Sequence, residues 1–360
     1  GGSGVVIIRF LTSGNDYLIT AEIFMPSLQS PSVGGWKELA RHTRTTQGIM
    51  DVSSIPLSRY YMVLTNVNDT GGAGGNYRMY CNNDSTASCA GRLAQNGTEY
   101  TEISKTNGNY WGGNNIDEGF GVTYWANLAG KEKLGISHFV DRNAVGAGAA
   151  PMRSEAVLKW DDVSTAINRF NSPPSWNLWD SGSEMIVLGW DPEDTHTTNF
   201  WEELATDTGD GASTDITCTF TAKKYLWIQA WIEGSSSANQ TFRLGSSSTP
   251  DTGSNYSRRR SNNGGSDTTL TSQDNLLSTW NDATNHQFWN IFIVNNASNE
   301  KLCIMHSMNM GGATGAGTAP ARYEWVNKWT NTSNQADIFE VNRASGNWST
   351  NSIVKVWGSN

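Results

Sequence analysis

His138 and His306 sit in related runs, Leu134-Gly135-Ile136-Ser137-His138-Phe139-Val140 and Leu302-Cys303-Ile304-Met305-His306-Ser307-Met308. A strand histidine can act as a general base or a metal ligand, but both roles need acidic or thiolate partners. No Asp, Glu or Cys lies at ligand spacing from either one. Alternation puts each on a face with apolar neighbours: Leu134, Ile136 and Val140, or Leu302, Ile304 and Met308. That face is expected to point inward. The pair therefore reads as buried, hydrogen-bonded histidines, with no metal and no cofactor.

Four carboxylates also recur: Glu132, Glu155, Glu300 and Glu324. Paired carboxylates can hydrolyse glycosides. Arg153 and Glu155 lie two apart, as do Arg322 and Glu324, so each pair shares a face in an extended chain. With Lys159 and Lys328 they read instead as repeated ion pairs that pin the preceding loop to a sheet. One acid and one base normally form one cleft, whereas here the whole set occurs twice. No catalytic residue is assigned and the chain is read as non-enzymatic. The loops Gly146-Ala147-Gly148 and Gly315-Ala316-Gly317 precede strands and lack the Lys-Ser/Thr of a phosphate loop, so they suit a close backbone approach or a subunit contact. Trp111 and Trp176 lie in Gly/Asn and Pro/Asn surroundings and are the candidates for glycan or partner contact.

The elements that must position these residues are themselves written twice. Trp36-Lys37-Glu38-Leu39-Ala40 returns as Trp201-Glu202-Glu203-Leu204-Ala205. The run 146–155 returns as 315–324, and Lys159-Trp160 as Lys328-Trp329. A tandem repeat of this length implies two copies of one domain. Copy one is placed at 36–190, copy two at 201–360, and a polar linker at 191–200. Residues 1–35 form a separate segment. Its strand-like run Ser3 to Phe10 resembles Ser183 to Trp190, as a strand from a preceding repeat or one exchanged between subunits would. It also suits a strand of copy one. The start, Gly1-Gly2-Ser3-Gly4, reads as a trimmed or processed terminus or a cloning remnant.

Turn formers and aromatics, among them 16 Trp, argue for short strands joined by tight turns. Roughly eight strands per copy are expected. The fold class is all-β: two tandem antiparallel β-sandwich domains of jelly-roll or lectin-like type. Trp160/Trp329, Trp179/Trp348 and Trp36/Trp201 are duplicated and belong to the framework. Cys81 and Cys89 could bridge a hairpin, while Cys218 and Cys303 read as buried thiols. The net charge of −9 argues against a nucleic-acid partner. Arg258-Arg259-Arg260, the one basic cluster, reads as a solvated loop edge. No apolar stretch is long enough for a membrane span.

The pattern Glu-Lys-Leu, then Gly-Ala-Gly-x-Ala-Pro-x-Arg-x-Glu, then Lys-Trp, then a closing strand resembles virion structural proteins of marine tailed phages and related archaeal viruses. The resemblance covers 36–360 and implies repeated β-sandwich units on a capsid surface or in a tail. The implied partners are copies of the chain and other virion proteins, with host surface glycans as a further partner. The competing expectation is a secreted carbohydrate-binding protein.

Overall fold

Long apolar runs such as Tyr60–Asn68 and Tyr225–Ile232 lack the alternation of a strand with one wet face, and both are buried through almost their whole length. They mark sheets covered on both sides. The computed structural model describes residues 35–68, 77–113, 118–173, 179–192, 198–281, 285–311 and 315–360. The run Ser3 to Phe10 and Trp176 lie outside these. The described residues contain no α-helix and none long and apolar enough to cross a membrane.

The first half holds β1 (Lys37–Thr43), β2 (Asp51–Val52), β3 (Tyr60–Asn68), β4 (Tyr77–Cys81), β5 (Cys89–Gln95), β6 (Thr98–Lys105), β7 (Asn109–Gly112), β8 (Glu118–Ala126), β9 (Lys133–Asp141), β10 (Met152–Trp160), β11 (Phe170–Asn171) and β12 (Glu184–Trp190). The second holds β13 (Glu202–Thr208), β14 (Asp215–Thr219), β15 (Tyr225–Ile232), β16 (Ala238–Ser246), β17 (Thr249–Pro250), β18 (Tyr256–Asn262), β19 (Thr268–Gln273), β20 (Leu277–Asn281), β21 (Gln287–Val294), β22 (Lys301–Asn309), β23 (Ala321–Trp329), β24 (Ile338–Arg343) and β25 (Ile353–Ser359). The sequence suggests fewer strands per half because two-residue pairings such as β2, β11 and β17 leave no periodic signal.

All sheets are antiparallel. The large sheet of the first half runs β1-β12-β3-β8-β9-β10-β5-β6, and that of the second β13-β25-β15-β21-β22-β23-β18-β19. The two orders correspond strand for strand. Both carry a register shift at the same place, between Glu38 and Ala40 in β1 and between Glu203 and Ala205 in β13. Smaller sheets, β2-β11-β4-β7 and β14-β24-β16-β17 with β20 on β16, share an apolar core with the large sheet of their own half. Trp160, Trp179, Trp201, Trp329 and Trp348 are buried, and Trp36 is partly buried.

A third apolar cluster lies between the halves. Met62, Phe120, Val122 and Leu188 from the outer face of one large sheet pack with Tyr225, Trp227, Phe292 and Ile304 from the other. Phe120 and Tyr225 approach to 6.2 Å between ring centroids. This seam covers the second face of the long apolar strands.

The cysteines are all buried and carry free thiols, so Cys81 and Cys89 form no bridge. The three arginines correct the loop-edge expectation. They lie within β18, where Arg258 is buried and donates to Asn275 and Leu276, Arg259 donates to the Pro151 carbonyl, and Arg260 covers the Trp325 ring.

Candidate functional site

His138 and His306 point to the outer faces of the large sheets, into the seam, and not into either core as alternation suggested. Gly135, Ser137 and Phe139 take the core side of β9. The Trp125 indole lies 3.0 Å from where a Cβ on Gly135 would stand, so the bulkier even-numbered set, Leu134, Ile136 and His138, faces outward. The two imidazoles meet across the seam with centroids 4.2 Å apart.

Sheet register supplies the acidic partners that linear spacing hides. Glu155 on β10 is the cross-strand partner of His138, and Glu324 on β23 that of His306. The seam then brings Glu155 Oε1 to 3.5 Å from His306 Nε2. Ligand atoms of His138, Glu155 and His306 all lie within 4.8 Å of one another. His138 Nδ1 is buried with no hydrogen-bond partner.

Arg153 organises the carboxylates. Its Nη1 lies 2.8 Å from Glu155 Oε1 and 3.5 Å from Glu324 Oε2, and its Nη2 donates to Asp267 Oδ1 at 2.6 Å. Arg322, largely exposed, reaches Glu324 at 3.1 Å. Burial, then the neighbouring His306, pushes the His138 pKa down to about 3, so its ring is neutral. Burial raises Glu155, but His306 and Arg153 outweigh it and bring the carboxyl to about 2. Glu324 is raised, by burial and by the charge of Glu155.

Of the pairs expected to pin a loop, one Glu-Lys pair, Glu300 and Lys328, holds the 142–146 segment of the other half across the seam. Gly146 N–H donates to Glu300 Oε1 at 2.6 Å. Ser272 N–H donates to Ala147 O, and Ser257 Oγ to Ala149 O, each at 2.8 Å. Lys328 Nζ, 3.2 Å from Glu300, also donates to the carbonyls of Arg142 and Ala144. The matching pair Glu132 and Lys159 stays at the surface, 3.3 Å apart. The other Gly-Ala-Gly loop, 315–317, stays largely exposed.

Trp111 corrects the platform expectation. It lies in β7, only 2 % exposed, against Trp125 and Phe170, and offers no ring face to a sugar. Between Glu155 and Glu324 stands the Arg153 guanidinium, where a glycosidase would need its scissile bond.

No family model matches the chain, and no curated protein matches it. Among solved structures, Neisserial surface protein A aligns at 6% identity over 79% of this chain and 97% of its own, with a TM-score of 0.12. An acyl-CoA hydrolase from Agrobacterium tumefaciens aligns at 6% identity over 77% and 97%, with a TM-score of 0.14. Pseudomonas aeruginosa OpdQ aligns at 8% identity over 85% and 67%, with a TM-score of 0.13. At such TM-scores none of these carries an argument about fold or function.

Proposed function

We propose that this chain is a structural protein that works by self-assembly. In this reading its halves are duplicated copies of one jelly-roll or lectin-like β-sandwich unit, at 36–190 and 201–360, joined by 191–200. The matching strand orders and the shared register shift support the duplication. The setting is a virus capsid surface or tail, which follows from the sequence resemblance, with copies of the chain and other virion proteins as partners.

One observation carries the assembly reading. Leu302, Ile304 and Val326 of the second half are each 2 % exposed because the first half covers them, while their counterparts Leu134, Ile136 and Val157 are 56 %, 50 % and 53 % exposed. The other end of the same outer faces repeats the asymmetry. Phe120 and Val140 of the first half are buried at the seam, and their counterparts Phe288 and Met308 are 40 % and 50 % exposed. Among the described residues, each chain thus presents one bare patch of each kind that pairs in its own seam. The occupant that fits is a second copy, joined head to tail.

Analytical ultracentrifugation over a wide concentration range tests this. Concentration-dependent oligomers that Ile136→Lys or Val157→Asp abolishes are expected. A wild-type chain that stays monomeric throughout removes the reading. Electron microscopy of native particles then tests the virion setting.

A further inference from the structure

We propose that His138, His306 and Glu155 bind one divalent transition-metal ion of the zinc class, clamping the two halves of the chain at their seam. The ligands come from both large sheets: His138 and Glu155 from neighbouring positions of β9 and β10, His306 from β22 of the other half.

The geometry suits such an ion. With metal–ligand bonds of about 2.0–2.2 Å, tetrahedral ligand atoms stand about 3.4 Å apart. The Glu155 to His306 separation is 3.5 Å, and the third ligand atom lies within 4.8 Å of both. Two imidazoles and one carboxylate are a borderline donor set that favours zinc or its neighbours over calcium or magnesium. A fourth position is left for water.

The surroundings agree. His138 Nδ1 is a buried lone atom without a partner, and coordination or a hydrogen bond is what a buried imidazole nitrogen needs. The charged groups facing the cluster are Glu155, Glu324 and Asp267 against Arg153, Arg259 and Arg322. Arg322 is well solvated and screened, and Arg153 keeps Asp267 and Glu324 when Glu155 turns an oxygen to the ion.

Calorimetric titration of chelator-stripped full-length protein with zinc chloride tests the site, paired with thermal unfolding and with cobalt(II) absorption as a probe of coordination. One ion per chain, a raised Tm and a tetrahedral cobalt spectrum are expected. His138→Ala and His306→Ala each abolish the one-to-one binding, and Glu155→Gln weakens it by about tenfold or more. Circular dichroism checks that each variant is folded. Failure of the wild-type protein to take up zinc at about 100 μM overturns the proposal without reference to any variant, because zinc sites of this donor set bind far more tightly. So does one-to-one binding that survives both histidine changes.

Discussion

The Tyr225 hydroxyl donates to Glu184 Oε2 at 2.7 Å, from the first residue of β15 to the first residue of β12. The same carboxylate accepts from Lys224 at 2.8 Å and Thr43 at 2.6 Å. One buried side chain of the first half thus holds the start of a central strand of the second.

That junction is acid-labile. Burial raises the Glu184 pKa, but Lys224, Thr43 and Tyr225 outweigh it and bring the carboxyl from an ordinary 4.5 to about 2. A depressed folded pKa stabilises the fold above the unfolded value and is lost as pH falls through the folded one. Between about pH 5 and pH 2, wild type should lose about 2 kcal/mol more than Glu184→Gln in urea titrations, with partial solvent screening allowed for. Parallel pH profiles would show that Glu184 is not the group responsible.

The twice-written Glu-Lys pair is its own control. Lys328 and Glu300 are 0 % and 1 % exposed at their side chains, Lys159 and Glu132 43 % and 45 %. Lys328→Met should cost about 3–5 kcal/mol because it strands a buried carboxylate. Lys159→Met should change stability by less than about 0.5 kcal/mol. Denaturant midpoints for the two variants decide it, and similar values would mean that the seam does not bury the second pair.

Arg153 is a charge hub, and its side chain and that of Asp267 are 4 % and 2 % exposed. Arg153→Met should destabilise by about 3–5 kcal/mol, and the double change with Asp267→Asn should recover part of it. Additive losses in a double-mutant cycle would show that the pair is not coupled.

Trp111→Ala should cost about 3–5 kcal/mol as a core cavity. If wild type binds any sugar on a glycan array, folded Trp111→Phe should bind the same ones. Selective loss of binding in Trp111→Phe would return the indole to a recognition role.

Much of the architecture could be read from residue order. Strand pairs follow from repeated motifs, and the duplicated tryptophans of the Lys-Trp motif are where packing demands them. Trp160 and Trp329 each lie under a buried lysine, Lys133 or Lys301, and each donates to an aspartate, Asp84 or Asp251. The histidine cluster was not legible. Its carboxylate partners depend on register across the β9–β10 and β22–β23 hairpins and on contact between halves, which linear spacing does not encode. One hint was present. Tyr60 to Val67 and Tyr225 to Ile232 are apolar on both alternating faces, which a sheet with one wet side would not be. Trp111 misled because its Gly/Asn surroundings resemble a loop, yet its short strand closes the small sheet over the core.

Every thiol of this chain is sealed off from chemistry. Burial pushes Cys89 up to about 11 and Cys218 to about 12, and raises Cys81 and Cys303 as well. Thiolate, the form that oxidises and exchanges, is disfavoured in all four, and none is more than 2 % exposed. The fold therefore stands on packing, hydrogen bonds and ion pairs alone, with no disulfide among its contacts for a reductant to cut.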